Sequence, residues 1–336
     1  MFAQGIRNAP EAGRIPTLHV IGNSIPQALY RAISAVWKQG ALMPTEYDRR
    51  DDAGNLIDPP GRDACVLIEV KDPFAQPRFP PISWCEIGAY IAEIIGVKDH
   101  KVLPIGALRL NRDGHPLPST EWPYTYHQRL FSHPDVDGDL VDQVALAIER
   151  VAQTPYSRRA ICTTSVPNLD PFLKEDVPCL REIGLRCPED KNGELALNPT
   201  LTWRSRDLYK AWPDNVIALT FLLQVIAQKI SLRSRRPCRL GSYKDFSMSL
   251  HIYGQDYSHF NGDPAASTEG FFDTFPDEYS FIAKSLTSEC AADMLVLPQL
   301  EKLKTPALVE QWSFGEEQIA LIDDLIDGIT SGRYIC

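Results

Sequence analysis

Apolar positions along the chain follow two spacings, one typical of strands and one typical of helices. Residues 17–22 read as a strand, and residues 25–39 carry apolar side chains at helical intervals, among them Leu29 and Ile33. The pattern therefore predicts a strand, a short loop and a helix near the start. Residues 1–16 are rich in glycine, proline and charge, which favours an irregular N-terminal arm.

Further segments repeat these patterns, and a polar stretch over residues 47–60 predicts an exposed loop. The other predicted strands are residues 64–70, 159–166, 185–187, 200–204 and 247–253, and the other predicted helices are residues 86–95, 139–153, 215–230 and 316–329. We find no internal repeat and no low-complexity linker. The predicted fold class is therefore α+β, a single domain over residues 1–336 with a large mixed or antiparallel sheet flanked by helices.

Composition narrows the class of protein. A chain of 336 residues that is 44% hydrophobic and 23% charged can bury a large core. Its formal net charge of −10 argues against a nucleic-acid partner, because such proteins need a surplus of lysine and arginine. No leader segment or membrane-spanning run is expected, which predicts a cytoplasmic protein without a membrane partner. Any anionic ligand must therefore meet a local basic cluster.

Eight cysteines are scattered without paired spacing, so we predict neither a metal site nor a disulfide framework. Cys179 differs from the others in its neighbours. It follows a proline between two predicted strands, and arginine pairs lie on both sides of it, Arg158 with Arg159 upstream and Arg204 with Arg206 downstream. Guanidinium groups suit a phosphate, and they also raise the thiolate fraction of a nearby cysteine.

Each of these features also has an ordinary structural explanation. A lone cysteine is usually a buried small side chain, and arginine pairs are usually solvated surface charge. Asn215 can be the N-cap of the strong helix that follows, and Glu86 can be a first-turn residue favoured by the helix dipole. His251 and Tyr253 can be plain strand residues. These alternatives stay open on the residues alone.

Together, however, the motifs resemble a known family in order and spacing. Pro178-Cys179, Arg204-Ser205-x-Asp207, Trp212-Pro213-x-Asn215 and His251-Ile252-Tyr253 are similar to the core motifs of thymidylate synthases and related pyrimidine nucleotide hydroxymethylases, and the likeness extends upstream through Tyr126 and the Arg158-Arg159 pair. It covers roughly residues 62–260. The resemblance implies a thymidylate synthase-like fold.

The resemblance also implies a reaction. In that family a cysteine thiolate, here Cys179, adds to C6 of a pyrimidine deoxynucleoside monophosphate, and C5 then attacks the cofactor 5,10-methylenetetrahydrofolate. Glu86 and Tyr126 match residues of the proton-transfer network, and Asp207 belongs to the same catalytic set. Asn215 matches the side chain that reads the base, since its amide can both donate and accept.

Substrate contacts follow from the same likeness. The phosphate is expected to meet Arg204 and Ser205 of one subunit and Arg158 and Arg159 of the other, which implies a homodimer. Arg62 matches a further phosphate-binding arginine. His251 and Tyr253 stand on one face of a strand and would hold the sugar 3′-hydroxyl. Ser205 favours deoxyribose over ribose.

Three departures leave the outcome open. Leu180 replaces the usual histidine after the nucleophile, Trp203 replaces the usual glutamine before the Arg-Ser pair, and the sequence printed here ends without the apolar tail that closes over folate. That tail keeps water from the methylene intermediate. Three hypotheses remain: methylation of dUMP, hydroxymethylation of dUMP or dCMP, and nucleotide binding without catalysis. Asp214 beside Asn215 leaves room for cytosine.

Overall fold

The computed structural model describes residues 13–82, 86–102, 122–135, 137, 139–167, 169–173, 177–262 and 268–336. Its strands are β1 (Thr17–Gly22), β2 (Ala41–Met43), β3 (Gly61–Val70), β4 (His133–Pro134), β5 (Leu140–Val141), β6 (Ile161–Thr163), β7 (Leu180–Arg186), β8 (Leu195–Trp203), β9 (Arg206–Asp207), β10 (Cys238–Leu240) and β11 (Tyr243–Ile252).

Twelve α-helices surround these strands in the described part of the chain. They are α1 (Ile25–Gln39), α2 (Ile87–Ile94), α3 (Tyr126–Phe131), α4 (Gln143–Gln153), α5 (Ala211–Ser234), α6 (Tyr257–Asn261), α7 (Phe271–Thr274), α8 (Glu278–Ala283), α9 (Ser288–Ala291), α10 (Leu297–Leu303), α11 (Pro306–Trp312) and α12 (Glu316–Thr330). A π-helical turn over Ala292–Val296 joins α9 to α10.

One mixed sheet of nine strands organises the described residues. Its main path runs β1-β3-β11-β8-β7-β6, with β2 beside β3, β9 beside β11 and β10 beside β8, while β4 and β5 form a separate pair. β1 runs parallel to β3, and β11 runs parallel to β8, whereas β3 with β11, β8 with β7 and β7 with β6 are antiparallel. The predicted α+β class with a large mixed sheet flanked by helices is confirmed.

The sheet has one face toward the helices and one face more open to solvent. Along β3 the side chains of Ala64, Val66 and Ile68 are fully buried, while Leu67 between them is 36% exposed. This alternation follows from the two-residue period of a strand. Helix α1 packs against β1 and β3 on the buried side, and its N-cap Ser24 accepts a hydrogen bond from the backbone N–H of Gln27.

Helix α5 is the centre of the core. It packs against α2, α4, β8 and β10, and most of its side chains are buried, including Trp212 and Phe221 at 0% exposure. The expectation that no run is long enough to span a bilayer is wrong. By length and composition alone, α5 is long and apolar enough to cross one. Its most apolar window is 72% buried inside the protein, since helices and sheet surround it on several sides.

The predicted and observed bounds of helices and strands agree best where a regular apolar pattern continues over many residues. β1 and α1 have the predicted bounds, whereas α5 extends beyond residues 215–230 at both ends. The prediction that residues 139–142 are helical is wrong. Strand β5 occupies Leu140–Val141, and Asp142 is the N-cap of α4. The short elements β2 and β10 and the helices between residues 257 and 312 were not predicted, since each is too brief to show a period. Most of the predicted N-terminal arm lies outside the described residues.

Replacement of Leu219 on α5 by alanine tests the central place of this helix. Leu219 is 0% exposed, so we expect Leu219→Ala to lower the free energy of unfolding by about 2–5 kcal/mol. Leu232 on the same helix is 82% exposed, and Leu232→Ala should change it by no more than about 0.5 kcal/mol. Urea denaturation followed by circular dichroism measures both, and equal effects would contradict the packing described here.

Candidate active site

Two irregularities in the sheet meet at one place. β8 ends at Trp203 and β9 begins at Arg206, and opposite this gap the pairing register of β11 shifts between Ser247 and Leu250. A β-bulge interrupts regular side-chain alternation and re-aims the residues beside it. Residues 204–205 and 248–249 therefore lie outside the regular strand pairing, and the two unpaired segments are adjacent in the sheet.

A pocket of about 200 Å³ opens at this break. Four segments line it: the loop after β2 with Glu46 and Tyr47, the start of β3, the Arg204-Ser205 gap, and the end of β11 with Tyr253. Three predicted substrate contacts besides Tyr253 are among the lining residues, namely Arg204, Ser205 and His251. A larger cavity of about 340 Å³ between α4 and α5 contains none of the predicted site residues.

Cys179 stands beside the pocket, directly before β7. Its carbonyl oxygen accepts a hydrogen bond from the backbone N–H of Arg204 at 2.8 Å, so Cys179 and the strand gap are held side by side. The half-buried Cys179 Sγ lies 3.8 Å from the Ser205 hydroxyl, and Arg204 Nη1 donates to that same hydroxyl at 3.3 Å. The Ser205 hydroxyl thus lies between the thiol and the Arg204 guanidinium.

Buried charges anchor the segment that carries Cys179. Arg181 donates to the Pro178 carbonyl at 3.3 Å and lies 3.4 Å from Asp170, whose side chain is 2% exposed. Asp170 also forms an ion pair at 3.1 Å with Arg129, whose side chain is fully buried. Such a cluster is stable only when every charge has a partner, so it fixes the backbone before β7 in one position.

Tyr126 lies directly behind the nucleophile. Its hydroxyl accepts a hydrogen bond at 3.4 Å from the backbone N–H of Leu180, the residue after Cys179. Burial, together with the nearby Cys179 thiol, raises the pKa of Tyr126 to about 12. The hydroxyl therefore keeps its proton at neutral pH and can act as a donor near the Cys179 sulfur.

The two departures from the family pattern form a single packed pair. Leu180 on β7 and Trp203 on β8 are opposite one another in the sheet, and both are buried. The ring of Tyr126 meets Trp203 edge-on, with centroids 5.9 Å apart, and the Arg206 guanidinium lies 3.9 Å over the indole. Both substitutions thus replace polar side chains with apolar packing in the wall behind Cys179 and Tyr126.

Asn215 belongs to a buried polar network on α5. Arg206 Nε donates to Asn215 Oδ1 at 3.0 Å, and Asn215 Nδ2 donates to the Tyr90 hydroxyl at 2.7 Å. Since an arginine can only donate, the amide has one possible orientation. The alternative that Asn215 caps the helix is wrong, because α5 begins at Ala211 and Asn215 lies inside it. Asn215 is 9% exposed and does not line the pocket.

Asp207 lies beside His251 in the sheet and shapes the turn into α5. Its Oδ1 accepts hydrogen bonds from the backbone N–H groups of Tyr209 at 2.8 Å and Lys210 at 3.0 Å. Burial raises the pKa of Asp207 to about 6, while these hydrogen bonds oppose the shift. A carboxyl group that titrates near neutrality suits proton transfer.

The structure does not bring the other predicted residues to the pocket. Arg62 faces away from it, because Gly61 and Asp63 line the pocket and successive strand residues point to opposite sides. The Arg62 guanidinium instead lies 4.7 Å over the ring of Trp37. Arg158 and Arg159 are exposed between α4 and β6, and the exposed Glu86 precedes α2, just after residues 83–85, which lie outside the described residues.

Asp63, Ser249 and Glu46 were missed at the sequence level although all three line the pocket. Glu46 is distant in sequence from every recognised motif. Asp63 follows Arg62 directly, but strand neighbours point to opposite sides, so Arg62 gave no signal for it. Ser249 did carry a signal, because it stands two residues before His251 and four before Tyr253. Strand alternation places such residues on one face.

Part of the chain is similar to known proteins. Residues 118–262 match the family model described as thymidylate synthase. A protein of Methanosarcina mazei named "Putative thymidylate synthase" is 24% identical over 254 residues, 75% of this chain and 95% of that protein. One of the same name from Methanocaldococcus jannaschii is 34% identical over 134 residues, 39% of this chain and 55% of that protein.

A solved structure, the thermostable thymidylate synthase A of Bacillus subtilis, is 18% identical, with a TM-score of 0.46 over 70% of this chain and 82% of that one. The matched segment contains Cys179 and six of the thirteen residues that line the pocket. Residues 118–262 are thus similar to thymidylate synthases. The likeness to the Methanosarcina mazei protein extends beyond this segment, to 75% of the chain.

The raised pKa of Asp207 predicts a pH dependence of stability. The folded protein holds this proton more tightly than the unfolded chain, whose aspartates titrate near 3.9. The stabilising contribution is therefore present below pH of about 4 and is lost as the pH rises through about 6. Asp207→Asn keeps an acceptor for Tyr209 and Lys210 but cannot titrate.

Urea denaturation of wild type and Asp207→Asn at several pH values between about 4 and 7 measures this contribution. The free energy of unfolding of the wild type should fall more steeply over this interval than that of the variant. Parallel curves would show that Asp207 titrates in the folded protein as it does in the unfolded chain.

Proposed function

We propose that this protein transfers a one-carbon unit to C5 of a pyrimidine deoxynucleoside monophosphate, and that it methylates dUMP through a covalent adduct of Cys179 at C6. The observation that supports this most is the Cys179 thiol 3.8 Å from the hydroxyl of Ser205, which Arg204 contacts in turn at the edge of a polar pocket. A thiolate held next to an anion-binding group can attack a ring whose phosphate is fixed beside it.

The polarity of the pocket fits a nucleotide. Arg204 and Ser205 supply a positive charge and a hydroxyl at the Cys179 side, which suit a phosphate. The Nε and Nη2 groups of Arg204 donate to the Pro178 and Val177 carbonyls, which hold the guanidinium in place. His251 and Tyr253, with ring centroids 4.5 Å apart, offer polar groups for the sugar at the β11 side. Tyr47 meets Tyr253 edge-on, with centroids 6.5 Å apart, and the pair adds aromatic surface that a planar ring of the nucleotide or of the donor can contact.

The remaining residues have proposed roles in binding and proton transfer. From the family resemblance, Asn215 is proposed to read one edge of the base, and Tyr126 and Glu86 to move protons near it. Asn215 and Glu86 do not line the pocket, so these two roles rest on the resemblance alone. Asp207, with its raised pKa, can exchange a proton near neutral pH. The proposed donor is 5,10-methylenetetrahydrofolate, which would supply the one-carbon unit when bound.

A homodimer is part of the proposal. Arg158 and Arg159 are exposed and do not line the pocket of their own chain, as expected for side chains that complete the site of a partner. The open face of the sheet also leaves apolar side chains exposed in the described residues, with Ile21 at 37%, Leu67 at 36% and Ile161 at 55%. A second copy packed on this face would bury them.

Release of tritium from C5-labelled dUMP in the presence of methylenetetrahydrofolate tests the reaction. We expect the wild type to release tritium and Cys179→Ser to release none, because the weaker nucleophile cannot form the adduct. Cys290→Ser, which changes a partly buried thiol outside the pocket, is the matched control and should keep wild-type rates.

The same assay separates the alternatives. A rise at the dihydrofolate absorbance band indicates methylation, whereas product formation without that rise, together with a hydroxymethyl product by mass spectrometry, indicates hydroxymethylation. Parallel reactions with dCMP decide the base. Tight binding of dUMP without tritium release from the wild type would instead identify a nucleotide-binding protein without this activity.

Subunit complementation tests the proposed sharing of Arg159. Cys179→Ser and Arg159→Ala should each be nearly inactive, but a mixture contains heterodimers in which one site has both an intact Cys179 and an intact partner arginine. Random pairing gives one intact site in about half of the dimers, so about a quarter of wild-type activity should return. Activity that stays at the level of the separate variants would contradict a shared site.

A further inference from the structure

Three side chains form a hydrogen-bonded line along the wall of the pocket. The Ser249 hydroxyl donates to Asp63 Oδ2 at 2.9 Å, and Ser249 Oγ lies 3.2 Å from His251 Nδ1. Asp63 on β3 and His251 on β11 are direct partners in the antiparallel pairing, so the backbone fixes their separation. All three residues line the pocket, and only His251 carries a role in the proposed function.

The direction of these hydrogen bonds determines where the imidazole proton sits. A serine hydroxyl has one hydrogen, and here the Asp63 carboxylate takes it. The contact between Ser249 Oγ and His251 Nδ1 therefore needs the imidazole N–H as its donor. Burial lowers the pKa of His251, although Asp63 opposes that shift, so the ring is neutral near pH 7. A neutral ring with its proton on Nδ1 leaves a lone pair on Nε2.

That lone pair is unused within the protein. His251 is 8% exposed, and its Nε2 has no hydrogen-bond partner among the described residues. Asp63 Oδ1 is likewise buried without a partner in that part of the chain. An unpaired acceptor buried in a pocket wall favours a ligand that brings a donor to it. The donor cannot be a carboxylate or an ionised phosphate, because those groups only accept.

We propose that Asp63 is a positioning residue which, through Ser249, holds His251 in the tautomer whose Nε2 accepts a hydrogen bond from a sugar hydroxyl of the bound nucleotide. The identity of the ligand rests on the proposed function. The pocket then prefers a nucleotide with a free hydroxyl at that carbon. It disfavours one that lacks the hydroxyl or carries a phosphate there, whose oxygens would face a lone pair and the Asp63 carboxylate.

The tautomer is measurable in the ligand-free protein. In Asp63→Asn the amide can donate to Ser249 Oγ, the hydroxyl hydrogen then turns to His251 Nδ1, and the ring proton moves to Nε2. Nitrogen NMR of the full-length protein with ¹⁵N-labelled histidine distinguishes the two forms, and His251→Gln assigns the signal. We expect the proton on Nδ1 in the wild type and on Nε2 in Asp63→Asn.

Glu69→Gln is the matched control. It removes a carboxylate from the same strand, but Glu69 lies 3.8 Å from Lys244 and outside the pocket lining, so the His251 signals should not move. A wild-type spectrum with the proton on Nε2, or an Asp63→Asn spectrum identical to that of the wild type, would overturn the proposal.

Binding of dUMP and of its 3′-deoxy analogue tests the consequence for the ligand. Asp63→Asn and Ser249→Ala should each weaken dUMP binding by about three- to tenfold, the loss expected for one hydrogen bond, and leave the 3′-deoxy analogue within about twofold. The variant that carries both substitutions should bind dUMP no more weakly than either single variant, because each substitution breaks the same chain of hydrogen bonds.

The binding measurement and the NMR spectrum test the proposed function and the positioning role independently. If the wild type does not bind dUMP, the proposed function is wrong, while the spectrum still decides the tautomer. If dUMP binds wild type and both variants equally, the positioning role is wrong although the proposed function stands. Ser249→Ala also provides a second variant should Asp63→Asn not fold.

Discussion

A buried ion pair joins the parts of the protein that the site depends on. Arg206 and Asp245 lie 2.8 Å apart, with side-chain exposures of 1% and 0%, and they connect β9, which follows the strand gap, to the middle of β11. Arg206 also stacks on Trp203 and donates to Asn215, and Trp212 donates to Asp245. An unpaired charge at this depth costs several kcal/mol, so these elements hold one arrangement.

The arrangement explains how an irregular pocket persists in a regular sheet. The ion pair sits on the ladder just beyond the Arg204-Ser205 gap, and the bulge in β11 lies between Asp245 and His251. On the other side of the gap, the Asp170 ion pairs with Arg129 and Arg181 fix the approach to Cys179. The Arg206–Asp245 pair and the Asp170 cluster therefore fix the backbone on the two sides of the pocket. The pocket is thus formed by fixed elements of the sheet.

Two departures from the family pattern, Leu180 and Trp203, lie together in the sheet next to this ion pair. Leu180 and Trp203 face one another behind the nucleophile, and Trp203 is also the platform under Arg206. An apolar pair at that position supports the charged network rather than contacting the pocket. Among the polar residues that line the pocket, Asp63 and Ser249 belong to none of the motifs, and they form a chain of hydrogen-bond contacts with His251.

The sequence by itself determined the long elements and the set of residues from which the site is drawn. Strand and helix periods gave β1, α1 and the middle of α5, and motif spacing named Cys179, Arg204, Ser205, His251 and Tyr253, because each of these signals is local. Only the tertiary structure decided that Arg62 faces Trp37, that Asn215 is inside α5 and not its cap, and that Asp63 meets His251. Those outcomes depend on strand register and on a bulge, which pair residues far apart in the chain and leave no period in the sequence.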